Sequence, residues 1–181
     1  MSRARTWCLR LIVLAMVCWL APMTGQAAGV GREVLAQYIL ETVRAFRTMY
    51  TLTVIEHLKD AGISPNEEWK RNGHAVPLPI QFVKSAGADL DSFEVGVISL
   101  TPINEANLPK TPAEAEALRR LQADPSVKLV TFMDEKEFKG MAGDYAVAQG
   151  CADCHNHHPK SVKRNVRKGD LLGGLVVRLK P

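Results

Sequence analysis

Between residues 31 and 60, Leu35, Ile39, Val43, Phe46, Tyr50, Val54 and Leu58 recur at spacings of three to four. That spacing draws one apolar stripe along a helix. Asp60-Ala61-Gly62 supplies its stop, and Gly62 suits a left-handed cap. The run Thr51 to Ile55 is rich in β-branched residues, which weakens the helical preference there. Pro65, Gly73, Pro77 and Pro79 predict a loop over 62–80, with a short helix at about 80–86. Phe93 to Leu100 reads as a strand ended by Thr101-Pro102. Thr111-Pro112-Ala113-Glu114 opens a helix that ends before Asp124-Pro125. Thr111 caps it, Pro112 fits the first turn and Glu114 closes a capping box. Val127 to Met133 and Asp144 to Ala148 read as strands. In the last segment Leu175, Val177 and Leu179 alternate with Val176, Arg178 and Lys180, the period of a half-buried strand, and Gly173-Gly174 marks a bend or bulge at its start. The predicted class is α+β: a long N-terminal helix on a small antiparallel sheet, with one crossing helix.

The first 28 residues have a different pattern. Arg3, Arg5 and Arg10 precede the apolar run Leu11 to Leu20, and small residues follow in Gly25-Gln26-Ala27-Ala28. These are the three parts of a secretory signal peptide. The run falls short of the roughly 20 residues a membrane span needs, so an uncleaved anchor is the weaker reading. A lipoprotein signal is weaker still, because Val17 precedes Cys18. Cleavage near Ala27 or Ala28 leaves residues 29–181 as a single exported, periplasmic domain, in contact with a membrane only if the leading segment is retained.

Cleavage also changes the charge. Removing three arginines from 23 Lys and Arg, against 19 Asp and Glu, lowers the formal net charge from +4 to about +1. The basic balance therefore belongs partly to the export signal. Without an RNP-like motif or a basic helix, it gives no support for nucleic-acid binding. The content of 46% hydrophobic and 23% charged residues is that of a folded globular chain.

Cys151-Ala152-Asp153-Cys154-His155 fits C-x-x-C-H, the pattern for c-type haem attachment. Two thiols at this spacing add across the two vinyl groups of one porphyrin edge, and the next residue offers an imidazole to the iron. The protein then tunes the iron through axial ligands, hydrogen bonds and burial. Three other readings compete. A redox dithiol of the thioredoxin type wants a βαβ setting, which the pattern lacks. A zinc site could add His157 or His158, but eight consecutive residues hardly close a tetrahedron. The third is a chance pentapeptide with no cofactor. Export adds weight to haem, which is attached outside the cytoplasm.

Five stretches carry a resemblance: VRAFRTMYTLTVIEHL at 43–58, HAVPLPIQFV at 74–83, VISLTPINEAN at 97–107, EAEALRRLQADP at 114–125 and DYAVAQGCADCHNHHPKSVKRNVRKGDLLGGLVV at 144–177. Together they resemble the Tll0287-like haem domain family, and the last stretch is the most specific. The resemblance implies a PAS-like fold with one covalent haem c, found in free-standing exported proteins and in sensor domains of membrane-bound signalling proteins. It implies that Cys151 and Cys154 attach haem and that His155 is the proximal iron ligand. Asn156, Pro159, Ser161, Gly169 and Asp170 match framework positions, and Val166 stands where the family often has Trp.

The resemblance implies a sixth ligand from the N-terminal helix, a cysteine in some relatives, but residues 29–181 have no cysteine outside the motif. Met49, Tyr50, His57 and His74 are the candidates in that order, each weighed against an ordinary core or surface role. Met133 and Met141 lie in the C-terminal half, and an open or water-filled sixth site is a further possibility. The run Lys163, Arg164, Arg167 and Lys168 pairs with haem propionates or an acidic partner, or is a solvated loop. Two functions follow: electron transfer with a redox partner protein, or redox or gas sensing passed to a separate signalling partner. Enzymatic activity is not expected, since no distal acid–base pair can be named.

Overall fold

The computed structural model describes residues 29–181. The predicted export signal and its expected cleavage near Ala27 or Ala28 lie outside the described residues. Helix α1 (Arg32–Met49) runs through a π-helical segment, Tyr50–Ile55, into α2 (Glu56–Asp60), and the chain turns at Gly62 with φ +73°. The π segment has a local cause. The Thr51 hydroxyl donates to the Arg47 carbonyl at 2.9 Å, competing with the regular backbone bond in a run already poor in helical preference. The segment predicted as loop contains a parallel bridge of two-residue strands, β1 (Ser64–Pro65) and β2 (Ala75–Val76). Helix α3 (Pro79–Ala86) follows where predicted, with Gln81 Oε1 accepting from the Leu78 N–H.

Four antiparallel strands form the main sheet: β3 (Phe93–Ile98), β4 (Val130–Asp134), β5 (Glu137–Tyr145) and β6 (Leu171–Leu179), in the order β3-β6-β5-β4. Helix α4 (Pro112–Ala123) connects β3 to β4. The α+β expectation holds. On one sheet face Leu175, Val177, Phe138 and Ala142 pack against Ala36 and Leu40 of α1. Gly140 permits this approach, since a Cβ there would lie 2.8 Å from the Ala36 Cβ. On the other face Val176 and Met141 pack against Ala117, Leu118 and Leu121 of α4.

Three expectations need correction. The C-terminal strand is buried on both faces rather than half-buried, because α1 and α4 cover opposite sides of it. The segment 144–148 belongs to a strand only at Asp144 and Tyr145. It ends the long strand β5, which pairs with β4 across Glu135-Lys136, a turn without the Gly or Asn that advertises a hairpin. The buried stripe of α1 is Ala36, Leu40, Arg47, Thr51 and Ile55, one position along from the predicted one, so Leu35, Phe46 and Val54 are exposed. A small residue facing Gly140 and a paired arginine occupy the face that contacts the sheet, and an apolar count does not register them.

Glu114 shows the same limit. Thr111 Oγ1 accepts the Glu114 N–H at 3.2 Å as a cap should, but the Glu114 carboxylate takes the Lys110 N–H and turns inward instead of returning to Thr111. It is fully buried, 2.7 and 3.0 Å from Arg178 Nε and Nη2 and 3.0 Å from Lys139 Nζ. Lys139 also meets Asp134 at 2.7 Å, and Arg178 meets Glu94 at 3.0 Å. Burial alone would raise the Glu114 pKa. The bonds from Arg178, Lys110 and Lys139 outweigh it and hold the value at about 2.

Breaking a buried ion pair by removing one partner costs about 3–5 kcal/mol. Glu114→Ala is therefore expected to lower unfolding stability by about that amount, read from urea denaturation. The folded value lies below the ordinary 4.5, so this stabilisation is present above pH 4.5 and is lost as pH falls through about 2. Acid titration of stability should show that component in the native protein and lack it in Glu114→Gln.

Candidate functional site

At the end of β5 the pairing with β6 shifts between Asp144 and Tyr145, and the chain leaves the sheet. The Ala146 N–H donates to the Asp170 carbonyl at 2.9 Å, and the Ala146 carbonyl accepts from the Gly169 N–H at 2.8 Å, fixing the exit point. Helix α5 (Gln149–His157) follows. Its anchor is Ala152, buried against Ala146 and Val166, with Cys151 and Leu172 at the edge. Val166, where an aromatic residue was a reference point, thus fills a small satellite core. Asn156 ties down the return loop: Nδ2 donates to the Val166 carbonyl and Oδ1 accepts the Val166 N–H, both at 2.8 Å. Arg164 donates to the carbonyls of Asn156 and Pro159, so one member of the basic run secures the end of α5.

Cys151, Cys154 and His155 stand at positions i, i+3 and i+4 of α5, one face of the helix. All three line a cavity of about 490 Å³, within the usual size of a small-molecule site. Arg47, Thr51 and Ile55 of the N-terminal helix form part of its wall, and the chain around Leu78–Gln81 and Val97–Ser99 forms more. Desolvation lowers the pKa of His155, with the charges of Arg47 and His158 adding to it. A neutral imidazole is the form that binds a metal ion. Cys151 is half-buried and Cys154 exposed; partial desolvation raises the Cys154 thiol, helped by Cys151 and Glu67. Among the described residues no three His, Cys, Asp or Glu side chains form a metal-holding group, and the zinc reading has no ligand set.

The four sixth-ligand candidates are not brought to this cavity. Met49 is 57% exposed on α1. The Tyr50 hydroxyl donates to the Pro77 carbonyl at 2.7 Å, and its ring stacks on Phe82 with centroids 4.4 Å apart. His57 and His74 are exposed, on α2 and in the loop before β2. The cause is the face that the N-terminal helix turns inward: Arg47, Thr51, Ile55, Glu56 and Lys59 occupy the wall, and Met49, Tyr50 and His57 do not. Met133 is exposed on β4, and Met141 is buried under α4. His157 is exposed with Nδ1 2.8 Å from the Asp153 carbonyl, whereas His158 lines the cavity.

The sequence reading missed the pair Arg47–Asp144. Arg47 Nη1 lies 3.1 Å from Asp144 Oδ1, and both residues are 6% exposed in the cavity wall. Burial raises the Asp144 pKa, and Arg47 opposes the rise. The only signal was an arginine four residues before Thr51 on a helix otherwise read by its apolar positions. Arg47 Nε is also buried without a hydrogen-bond partner. The donor set fits a haem of the c type: two thiols and an imidazole share one helix face, beside a buried cation suited to an anionic group.

Comparison with known proteins agrees with this geometry. No curated protein matches the chain. Among solved structures, the cyanobacterial heme-protein Tll0287 matches with a TM-score of 0.50 at 14% identity, over 82% of this chain and 91% of that one, which is a likeness of fold. The Tll0287-like family model matches residues 31–179. The chain belongs to the Tll0287-like family.

Proposed function

We propose that this protein binds one haem c, attached covalently through Cys151 and Cys154, with His155 as proximal iron ligand, and that it acts in electron transfer with a separate redox partner. The observation that carries this reading is the shared face of α5, from which all three side chains open into one cavity. Family membership and the likeness of fold to Tll0287, a heme-protein, add to it. The bound group supplies one-electron chemistry at its iron. The chain's own residues attach it, orient it through α5 and shield it from water. Export from the cytoplasm belongs to the same proposal, because thioether attachment takes place outside it. The role is non-enzymatic, and peroxide turnover by the purified protein would overturn that part.

A second reading, a redox or gas sensor that signals to another protein, is favoured by one observation. Met49, Tyr50, His57 and His74 are all absent from the cavity wall, and a sixth position left open by the protein can take an exogenous ligand.

Protein made in cells able to mature cytochromes is expected to give the pyridine-haemochrome spectrum of thioether-linked haem. Cys154→Ser should impair attachment, and His155→Ala should disturb ligation while leaving the covalent link. Normal haem in both variants would defeat the assignment. Adding carbon monoxide to the reduced protein separates the two functions. An unchanged visible spectrum supports electron transfer, and a shifted Soret band turns the function toward sensing.

A further inference from the structure

The Arg47 guanidinium has more donors than the surrounding protein uses. A guanidinium presents five N–H donors in a rigid planar fork. Nη1 meets Asp144, which is the fork's single ion pair among the described residues. Thr51, the neighbour one turn on, spends its hydroxyl on the Arg47 backbone carbonyl and offers the fork nothing. Nε is the one buried side-chain nitrogen or oxygen among the described residues with no hydrogen-bond partner. A buried charged donor left unmade is costly, and other buried cations of this chain avoid it: Arg178 meets both oxygens of Glu114, and Lys139 meets Glu114 and Asp134. A purely structural Arg47–Asp144 pair would be expected to close in the same way.

We propose that Arg47 is an anion-binding residue of the cavity, taking a planar oxyanion on the edge of the fork that Asp144 leaves free. Asp144 is its positioning residue, holding Nη1 at 3.1 Å. Planar forks recognise carboxylate-like groups in a bidentate manner, which a lysine cannot reproduce. Two sources share this chemistry: a carboxylate of the bound porphyrin, and a small free oxyanion entering beside it. The inference rests on the haem reading above. A pyridine-haemochrome assay on the native protein tests that reading separately, before any Arg47 variant is made.

The experiment uses the haem-loaded full chain and compares Arg47→Gln, Arg47→Lys and the double variant Arg47→Gln/Asp144→Asn. The double variant removes both buried charges, so a stranded carboxylate does not prevent folding. Optical titration of the ferric protein gives the affinity for nitrite, a planar oxyanion, and for neutral imidazole. A redox titration across pH gives the reduction potential. If the source is a free anion, the nitrite dissociation constant rises at least about tenfold in both Gln variants while imidazole binding is unchanged. If the source is the porphyrin carboxylate, nitrite binding is unchanged. The pH at which the potential bends then moves up, because that carboxylate has lost its counter-charge. In either case Arg47→Lys, which keeps the charge without the fork, falls between native and Gln. Gln variants that match the native protein in nitrite affinity and in the pH profile of the potential would overturn the proposal and leave Arg47 as a partner of Asp144 alone.

Discussion

Lys139 of β5 and Arg178 of β6 are direct cross-strand partners, two positive charges side by side in a sheet covered on both faces. Like charges in that position repel, and burial removes the water that would screen them. Glu114 resolves the conflict from a different element: its Oε1 lies 3.0 Å from Lys139 and 2.7 Å from Arg178. Helix α4 must therefore sit where its first turn can deliver that carboxylate. Thr111, which caps the helix, also bonds to Asp134, the second partner of Lys139. The charge cluster thus places α4 on one sheet face and leaves the other to α1, which seats itself over Gly140.

The far end of the same sheet presents the candidate site. Strand β5 hands the chain to α5 through backbone bonds between Ala146 and the Gly169-Asp170 turn, and Asn156 binds the returning loop to the helix. A short helix secured in this way holds three side chains in fixed relation without a large core of its own, which is what a preorganised binding constellation requires. The opposite wall comes from the N-terminal helix and contributes Arg47, Thr51 and Ile55, with the Glu56–Lys59 ion pair beyond them.

The parts of this arrangement legible in the sequence are those carried by local chemistry. Thr111-Pro112 marked the start of α4 and Gly62 the end of α2. The spacing of Cys151, Cys154 and His155 marked the haem-attachment pattern, but the helix that puts them on one face was not predicted. What stayed hidden depends on partners distant in the chain. Glu114 looked like a capping residue because its distant partner, Arg178, lies 64 residues away. Arg47 carried no sequence signal of its own, because its partner Asp144 is nearly a hundred positions on. Met49 and Tyr50 were candidates because they lie in the helical region of the resemblance, whereas the face that is buried there carries Arg47 and Thr51.

Strand β5 carries two glycines, Gly140 and Gly143, and side-chain alternation alone gives it little hold on its neighbours. Lys139 and Asp144 supply that hold. They are five residues apart and so project to opposite sides, one toward Glu114 and the other toward Arg47. Sliding the strand by one residue would point the ammonium at the aliphatic contacts beneath α1 and the carboxylate at those beneath α4. Both errors arise together, and neither ion would find its partner, so the β4–β5 hairpin is confined to one alignment by electrostatics where its hydrophobic pattern is too sparse to enforce it.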